Sequence, residues 1–201
     1  MKKALVLFFL SVVSIDLSAQ SQRVVLTDDF SFNKNNWPTF VGKVVNYLVY
    51  NGKLIVGSED SITYNVCIPV VINTKGNYSI SVTATHTNGV DDMAYGLFFG
   101  GTDVNNYFSF VISNNGSFRV SKNTLNQYTE LVKWTYSPVI NKGNYTDNIL
   151  QVTKEGTNWN FFINGKLVTN LPAQSFLGNQ TGVTKRSNQR IEFDDYKIVE
   201  Y

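Results

Sequence analysis

The sequence predicts an all-β protein built from two antiparallel sheets packed face to face. One observation is that segments rich in β-branched and aromatic residues alternate apolar and polar side chains with a period of two, whereas none keeps a helical period beyond two turns. A second is that asparagine, which tolerates positive φ and favours tight turns, makes up 24 of the 201 residues and clusters between these segments.

The first 19 residues have the pattern of a signal peptide. Lys2 and Lys3 precede an apolar run at residues 4–15, and Ala19 is a small residue at the expected cleavage point. That run is short for a bilayer-spanning helix, and no later stretch reaches 18 unbroken apolar residues. We therefore expect residues 20–201 to form one β-sandwich domain without a membrane span, located outside the cell, in the periplasm or at the cell surface.

Residues 78–86 show the strand pattern most clearly. Apolar residues and His86 share one face, and serine and threonine share the other, which is typical of a half-buried antiparallel strand. Further strands follow at the spacing typical of sandwiches. They are predicted at residues 94–99, 107–112, 117–121, 130–134, 149–153, 159–163 and 191–199.

Two Asn-Gly pairs predict hairpin turns. Asn51-Gly52 and Asn164-Gly165 are each flanked by strand-like residues, and both residues of such a pair accept the positive φ of a type I′ turn. Residues 114–116, Asn-Asn-Gly, predict a third hairpin.

The composition excludes several classes of protein. The formal net charge is only +2, without a concentrated lysine and arginine patch, which excludes nucleic acid as the expected partner. The 43% of hydrophobic residues can fill a sizeable core, which excludes disorder. Cys67 is the only cysteine, so no disulfide can form within the chain.

Several short motifs are spread along the chain between residues 28 and 196. They are Asp28-Asp29-Phe30, Asn36-Trp37, the segment Tyr-Gly-Leu-Phe-Phe-Gly-Gly at 95–101, Asn-Tyr-Phe-Ser-Phe at 106–110, Trp134, Asn-Gly-Lys-Leu at 164–167 and Phe-Asp-Asp-Tyr at 193–196. With these motifs the chain resembles the concanavalin A-like lectin/glucanase superfamily, and particularly its laminin-G-like bacterial modules and the secreted domains labelled 3-keto-disaccharide hydrolase-like.

This resemblance implies a jelly-roll sandwich of two curved sheets. The first and last strands would be adjacent, with Phe30, Phe193 and Tyr196 packed inward, and a sugar ligand would lie on the concave sheet. The superfamily contains lectins, glycosidases and interaction modules, so the fold alone does not assign a function.

Catalytic constellations are sparse in the sequence. The glucanases of this superfamily carry a Glu-x-Asp-x-x-Glu strand, but here Glu192-Phe193-Asp194 is followed by Lys197 where the second glutamate would stand. A glycosidase needs two carboxylates flanking the bond. His86 is the only histidine and no serine lies in a Gly-x-Ser-x-Gly turn, which argues against a nucleophilic triad. One histidine and one cysteine are too few for an ordinary zinc site. Whether the protein is an enzyme stays open, and the balance favours a non-catalytic role.

A structural calcium ion is the one cofactor for which candidate ligands exist; otherwise none is expected. Calcium binds carboxylate and carbonyl oxygens. Asp28, Asp29, Asp194 and Asp195 would converge if the terminal strands pair, although surface acids offset by nearby bases such as Lys197 or Arg190 are the more common outcome.

The sequence also offers residues for a ligand-binding face. If alternate residues of 107–112 and 117–121 fill the core, Tyr107 and Arg119 face outward. Tyr95 and Trp134 are further aromatic candidates, but their strands are apolar on both faces, so alternation does not show which way they point. Any of these aromatics could instead belong to the core.

Three functions follow from these residues and the resemblance. The first is a secreted, non-catalytic module that binds carbohydrate or another extracellular or cell-envelope ligand on its concave sheet. The second is a sugar-processing hydrolase or lyase of the same superfamily. The third is an envelope protein-interaction module without a small ligand.

Overall fold

The computed structural model describes residues 22–201, so the predicted signal peptide lies outside the described residues. The described chain forms fifteen strands. They are β1 (Arg23–Asp28), β2 (Phe40–Val41), β3 (Val45–Tyr50), β4 (Lys53–Ser58), β5 (Thr63–Pro69), β6 (Tyr78–Gly89), β7 (Tyr95–Asp103), β8 (Asn106–Ile112), β9 (Ser117–Thr124), β10 (Gln127–Tyr136), β11 (Thr146–Glu155), β12 (Asn158–Ile163), β13 (Lys166–Pro172), β14 (Gln180–Arg186) and β15 (Gln189–Glu200).

The strands form two antiparallel sheets. The larger has nine strands in the order β13-β12-β11-β6-β15-β4-β3-β2, with β1 also paired to β15. The smaller has six strands in the order β10-β9-β8-β7-β14-β5. Their inner faces share one hydrophobic core, which confirms the predicted all-β, two-sheet antiparallel sandwich. Within residues 22–201 no helix is long and apolar enough to cross a membrane.

The two ends of the described chain meet in the larger sheet. β1 runs antiparallel to β15, with Arg23 opposite Glu200 and Asp28 opposite Tyr196. Phe30, Phe193 and Tyr196 are all buried. This is the adjacency of first and last strands that the resemblance implies.

Aromatic rings fill the space between the sheets. Trp159 lies edge-on to Phe108, with ring centroids 5.0 Å apart, and to Phe99, at 5.5 Å. The indole nitrogen of Trp159 donates a hydrogen bond to the hydroxyl of the buried Tyr78 at 2.8 Å. Pairing its only polar group lets this large side chain lie wholly in the core without a desolvation penalty.

Both Asn-Gly pairs form the predicted hairpin turns. Asn51 and Gly52 have φ values of 53° and 72°, and Asn164 and Gly165 have 51° and 73°. Both pairs thus have the two positive φ angles of a type I′ turn. Residues 114–116 also connect two paired strands, β8 and β9, but there only Gly116 has a positive φ.

Candidate binding face on the six-stranded sheet

One face of the six-stranded sheet points away from the core, and strand alternation determines its residues. In β8, Phe108 and Phe110 belong to the core, which turns Tyr107 and Ser109 to the opposite side. In β9, Phe118 and Val120 belong to the core and turn Arg119 outward. We call this side the outer face.

Arg119 is the centre of a cluster on the outer face. Its guanidinium carbon lies 4.6 Å from the ring centroid of Trp134 and 5.1 Å from that of Tyr128. One guanidinium nitrogen lies 3.5 Å from a carboxylate oxygen of Glu130. We call Arg119, Tyr128, Glu130 and Trp134 the Arg119 cluster. Stacking against aromatic rings and pairing with a carboxylate fix the position of this cation.

Irregularities in β10 explain how Trp134 reaches the outer face. The pairing of β10 with β9 shifts register between Glu130 and Val132 and again between Val132 and Thr135. Val132 packs against the core in this stretch, and Thr135 lies opposite the core residue Phe118. The bulges thus break simple alternation, and Trp134 returns to the side of Arg119 with 37% of its surface exposed.

Tyr107 lies beside this cluster and is held by stacking. Its ring lies 4.9 Å from that of Phe98 and nearly parallel to it. Burial raises the pKa of its hydroxyl above the ordinary value, and a hydrogen bond with Asn123 opposes this shift in part. The phenol can both donate and accept a hydrogen bond.

A small cavity of about 100 Å³ opens on the outer face next to these residues. It is lined on one side by Tyr107, Arg119 and Tyr128, and on the other by Thr184 and Arg186 of β14. The remaining lining residues are Thr63, Ala94, Ser109, Val111 and Ser121. The side chains that surround it are therefore mostly hydroxyl, aromatic or cationic.

Three buried polar atoms on the outer face have no hydrogen-bond partner within residues 22–201. They are Nε of Arg119 and the side-chain oxygens of Asn65 and Asn123. Asn65 lies opposite Thr184, a lining residue of the cavity, and Asn123 lies opposite Tyr107. Since most buried polar groups in proteins are paired, these atoms are suited to a polar ligand or ordered water.

The structure does not bring Tyr95 to this face. Tyr95 belongs to the buried core, lies opposite Ile112 in β8, and packs 5.9 Å from the ring of His86. Its outward-facing neighbours in β7 are Gly96 and Phe98, so both sides of the strand are apolar and alternation could not orient it. Of the four predicted ligand-binding residues, Tyr107, Arg119 and Trp134 therefore lie together, and Tyr95 lies in the core.

Tyr128, Glu130 and Arg186 are functional candidates that the sequence did not single out. Tyr128 precedes the predicted boundary of its strand, and residues 180–186 were not predicted as a strand. The alternation of Thr181, Val183 and Lys185 with Gly182, Thr184 and Arg186 is a signal that could have placed Arg186 on an outer face.

The four aspartates predicted as calcium ligands do not converge on one point. Asp28, Asp29 and Asp195 line a cavity of about 260 Å³ together with Lys34 and Lys197, whereas Asp194 is not among its lining residues. No group of three or more histidine, cysteine, aspartate or glutamate side chains within residues 22–201 has a metal-binding arrangement.

Most of these carboxylates already have partners in the protein. Asp28 is 1% exposed and accepts hydrogen bonds from the backbone N–H of Phe30, from the indole of Trp37 and from the amide of Asn35. Asp194 lies 2.5 Å from the ammonium of Lys53, whose pKa it raises. The donors around these two carboxylates occupy positions that a cation would need.

Comparisons with known proteins identify the fold. No family model and no curated protein matches the chain. Among solved structures, the carbohydrate binding module CBM66 from Bacillus subtilis matches 88% of this chain and 94% of its own, with a TM-score of 0.53 and 13% identity. The CBM2 module of the evolved Dit of Lactobacillus casei BL23 phage J-1 matches 89% and 95%, with a TM-score of 0.60 and 12% identity.

A third similar structure is the GH43 protein BlXynB from Bacillus licheniformis. It covers 87% of this chain, has a TM-score of 0.61 and is 14% identical, but this chain spans only 39% of its length. At these identities the likeness shows the fold alone. The chain is thus a two-sheet β-sandwich of the architecture found in carbohydrate-binding modules.

Proposed function

We propose that this chain is a secreted, non-catalytic module that binds carbohydrate on the outer face of the six-stranded sheet. The observation that carries the proposal is the Arg119 cluster, where an exposed tryptophan and tyrosine flank a fixed guanidinium. Aromatic rings with polar groups around them are the surface that a sugar needs, because a sugar ring has both apolar faces and hydroxyl edges.

The unpaired polar atoms of the outer face support the same function. The side-chain oxygens of Asn65 and Asn123 and Nε of Arg119 are shielded from solvent, so a sugar hydroxyl pairs with them only when these side chains shift on binding. A site with buried unpaired groups rewards a ligand that pairs them, because each unpaired group costs about 1–3 kcal/mol.

The likeness to carbohydrate-binding modules over nearly the whole chain adds support. It is also consistent with membership of the concanavalin A-like superfamily, which we propose from the sequence segments described above. The apolar segment at residues 4–15 supports a location outside the cytoplasm.

The carboxylates favour binding over hydrolysis. Among the strand residues of the outer face, all within the described chain, Glu130 is the one carboxylate, and it is paired with Arg119. Hydrolysis of a glycosidic bond by the ordinary mechanism requires two, placed on either side of the bond. The outer face therefore offers a platform for a sugar without the pair that would cleave it.

A glycan array tests the proposal. We expect the chain to bind at least one glycan, and Trp134→Ala to weaken that binding about tenfold or more, which corresponds to about 1.4 kcal/mol. Tyr50→Ala is the matched control, since Tyr50 is an exposed aromatic residue on the other sheet. Unchanged binding by Trp134→Ala, or the absence of any bound glycan across neutral and acidic arrays, would overturn the proposal.

A further inference from the structure

Two arginines line the cavity on the outer face. Arg119 projects from β9 and Arg186 from the end of β14, and both line the same cavity of about 100 Å³. Both charges also act on the hydroxyl of Tyr107, whose pKa they lower against the larger effect of burial. Three strands thus direct two cations and a phenol toward one small volume.

The positive charge at this cavity is only partly compensated. Arg119 is paired with Glu130, but Arg186 forms no ion pair with any carboxylate of residues 22–201. Among the described residues that line the cavity, two are cationic and none is a carboxylate. The uncompensated charge lies at the mouth of the cavity, because Arg186 is exposed whereas the side chain of Arg119 is only 12% exposed.

The two arginines are held to different degrees. The guanidinium of Arg119 has a fixed position between two aromatic rings. For Arg186 only the backbone is anchored, because its N–H donates to the carbonyl of Ala94 and its own carbonyl accepts from the amide of Gln189. The guanidinium of Arg119, already held in place, therefore loses less conformational entropy when it binds an anion.

We propose that the outer face recognises an acidic glycan, with a carboxylate or sulfate of the sugar held between Arg119 and Arg186. This inference builds on the proposed function and names its ligand class. The planar guanidinium group matches the geometry of an oxyanion and forms charge-assisted hydrogen bonds with it. Tyr107 is placed to donate a further hydrogen bond, and Trp134 and Tyr128 supply the surface for the neighbouring sugar ring.

The size of the cavity agrees with this division of roles. About 100 Å³ is small beside the roughly 300–1,000 Å³ of pockets that enclose a whole small-molecule ligand. A volume of this size suits one small polar group of a ligand. The rest of the sugar would lie across the exposed rings of the Arg119 cluster.

Affinity electrophoresis or calorimetry with three polysaccharides tests the inference. Polygalacturonate carries carboxylates, dextran sulfate carries sulfates, and dextran is neutral. We expect one acidic polymer to bind at least about tenfold more tightly than dextran, with affinity that falls as salt rises because ions screen exposed charges. The acidic polymer that binds more tightly identifies the source of the oxyanion.

Variants separate this site from general charge attraction. We expect Arg186→Gln to reduce binding of the acidic polymer by about tenfold. Lys166→Gln, which removes the same charge from an exposed position on the other sheet, should leave it unchanged. Two results would overturn the proposal of an acidic ligand. One is that Arg186→Gln and Lys166→Gln reduce binding equally. The other is that Arg186→Gln alters the binding of neither the neutral nor the acidic polymers; in that case Trp134→Ala would still test the proposed carbohydrate binding.

Discussion

The carboxylate of Asp28 is an example of a residue whose role depends on partners that come later in the chain. One oxygen accepts from the N–H of Phe30, and the other accepts from Trp37 and Asn35, at 2.8 Å and 2.6 Å. A carboxylate so surrounded by donors holds the loop that follows β1 against the core. A sequence shows the acidic residue but not the course of the loop, which is why Asp28 was predicted as a metal ligand.

This placement leads to a prediction about calcium. The donors on Asp28 and the ammonium group of Lys53 on Asp194 compete with a cation for the same oxygens. We therefore expect the melting temperature to be the same in EDTA and in millimolar calcium. A fall of several degrees in EDTA that calcium reverses would contradict this expectation, because a bound ion stabilises the folded state by mass action.

At the scale of elements, the two Asn-Gly hairpins allow a matched comparison. Asn51 and Asn164 have almost the same positive φ. The side chain of Asn164 accepts from the N–H of Ile149 and donates to Val139 and Asn148. Asn51 is exposed and makes no side-chain hydrogen bond within the described chain.

Asn51→Ala and Asn164→Ala should therefore differ in stability. We expect Asn51→Ala to cost about 1 kcal/mol, since alanine is strained at positive φ. Asn164→Ala should cost about 2 kcal/mol more, because it also removes hydrogen bonds worth about 0.5–1.5 kcal/mol each. Urea unfolding measures both. Equal losses would show that the hydrogen bonds of Asn164 contribute nothing to stability.

The elements also show how much could be predicted from the sequence. Alternation correctly predicted eight of the fifteen described strands, β6 to β12 and β15, but not the core strands β4, β5 and β14. It also predicted the outward direction of Tyr107 and Arg119, because β8 and β9 pair in regular register. It could not place Trp134, whose strand contains two bulges, or Tyr95, whose strand is apolar on both sides. The β9–β10 turn was missed because Leu125 and Asn126 adopt positive φ, which leucine rarely does.

For the whole molecule, pH dependence of stability follows from Lys185, which lies inside the sandwich. Its ammonium donates hydrogen bonds to the hydroxyl of Ser58 and the carbonyl of Ser187 and lies 5.2 Å from the ring of Tyr64. Burial lowers the pKa of Lys185 from 10.5 to about 8, and the charge of Asp60 opposes this shift only in part. Between about pH 8 and pH 10.5 the unfolded chain therefore binds more protons than the folded chain.

Stability should accordingly rise with pH above about 8, because the folded protein no longer has to bury the charged ammonium. Cys67 and several tyrosines reverse the trend at higher pH. Burial raises the pKa of the Cys67 thiol from 9.0 to about 11, so above about pH 9 this thiol opposes the effect of Lys185. Burial raises the pKa of Tyr78, Tyr95 and Tyr196, and a hydrogen bond to Asp60 raises that of Tyr64 to about 12. Above about pH 10 the unfolded chain loses tyrosine protons that the folded chain keeps, so stability falls.

These opposing groups predict a maximum of the free energy of unfolding near pH 9, to be measured by urea unfolding at about pH 7, 8.5, 9.5 and 11. Lys185→Met keeps the length of the side chain but removes its charge. We expect this variant to lose the rise above about pH 8 and to keep the fall that begins at about pH 9. Parallel curves for the variant and the original chain would show that Lys185 is not the origin of the rise, because the raised pKa values of Cys67 and the tyrosines only lower stability as the pH increases.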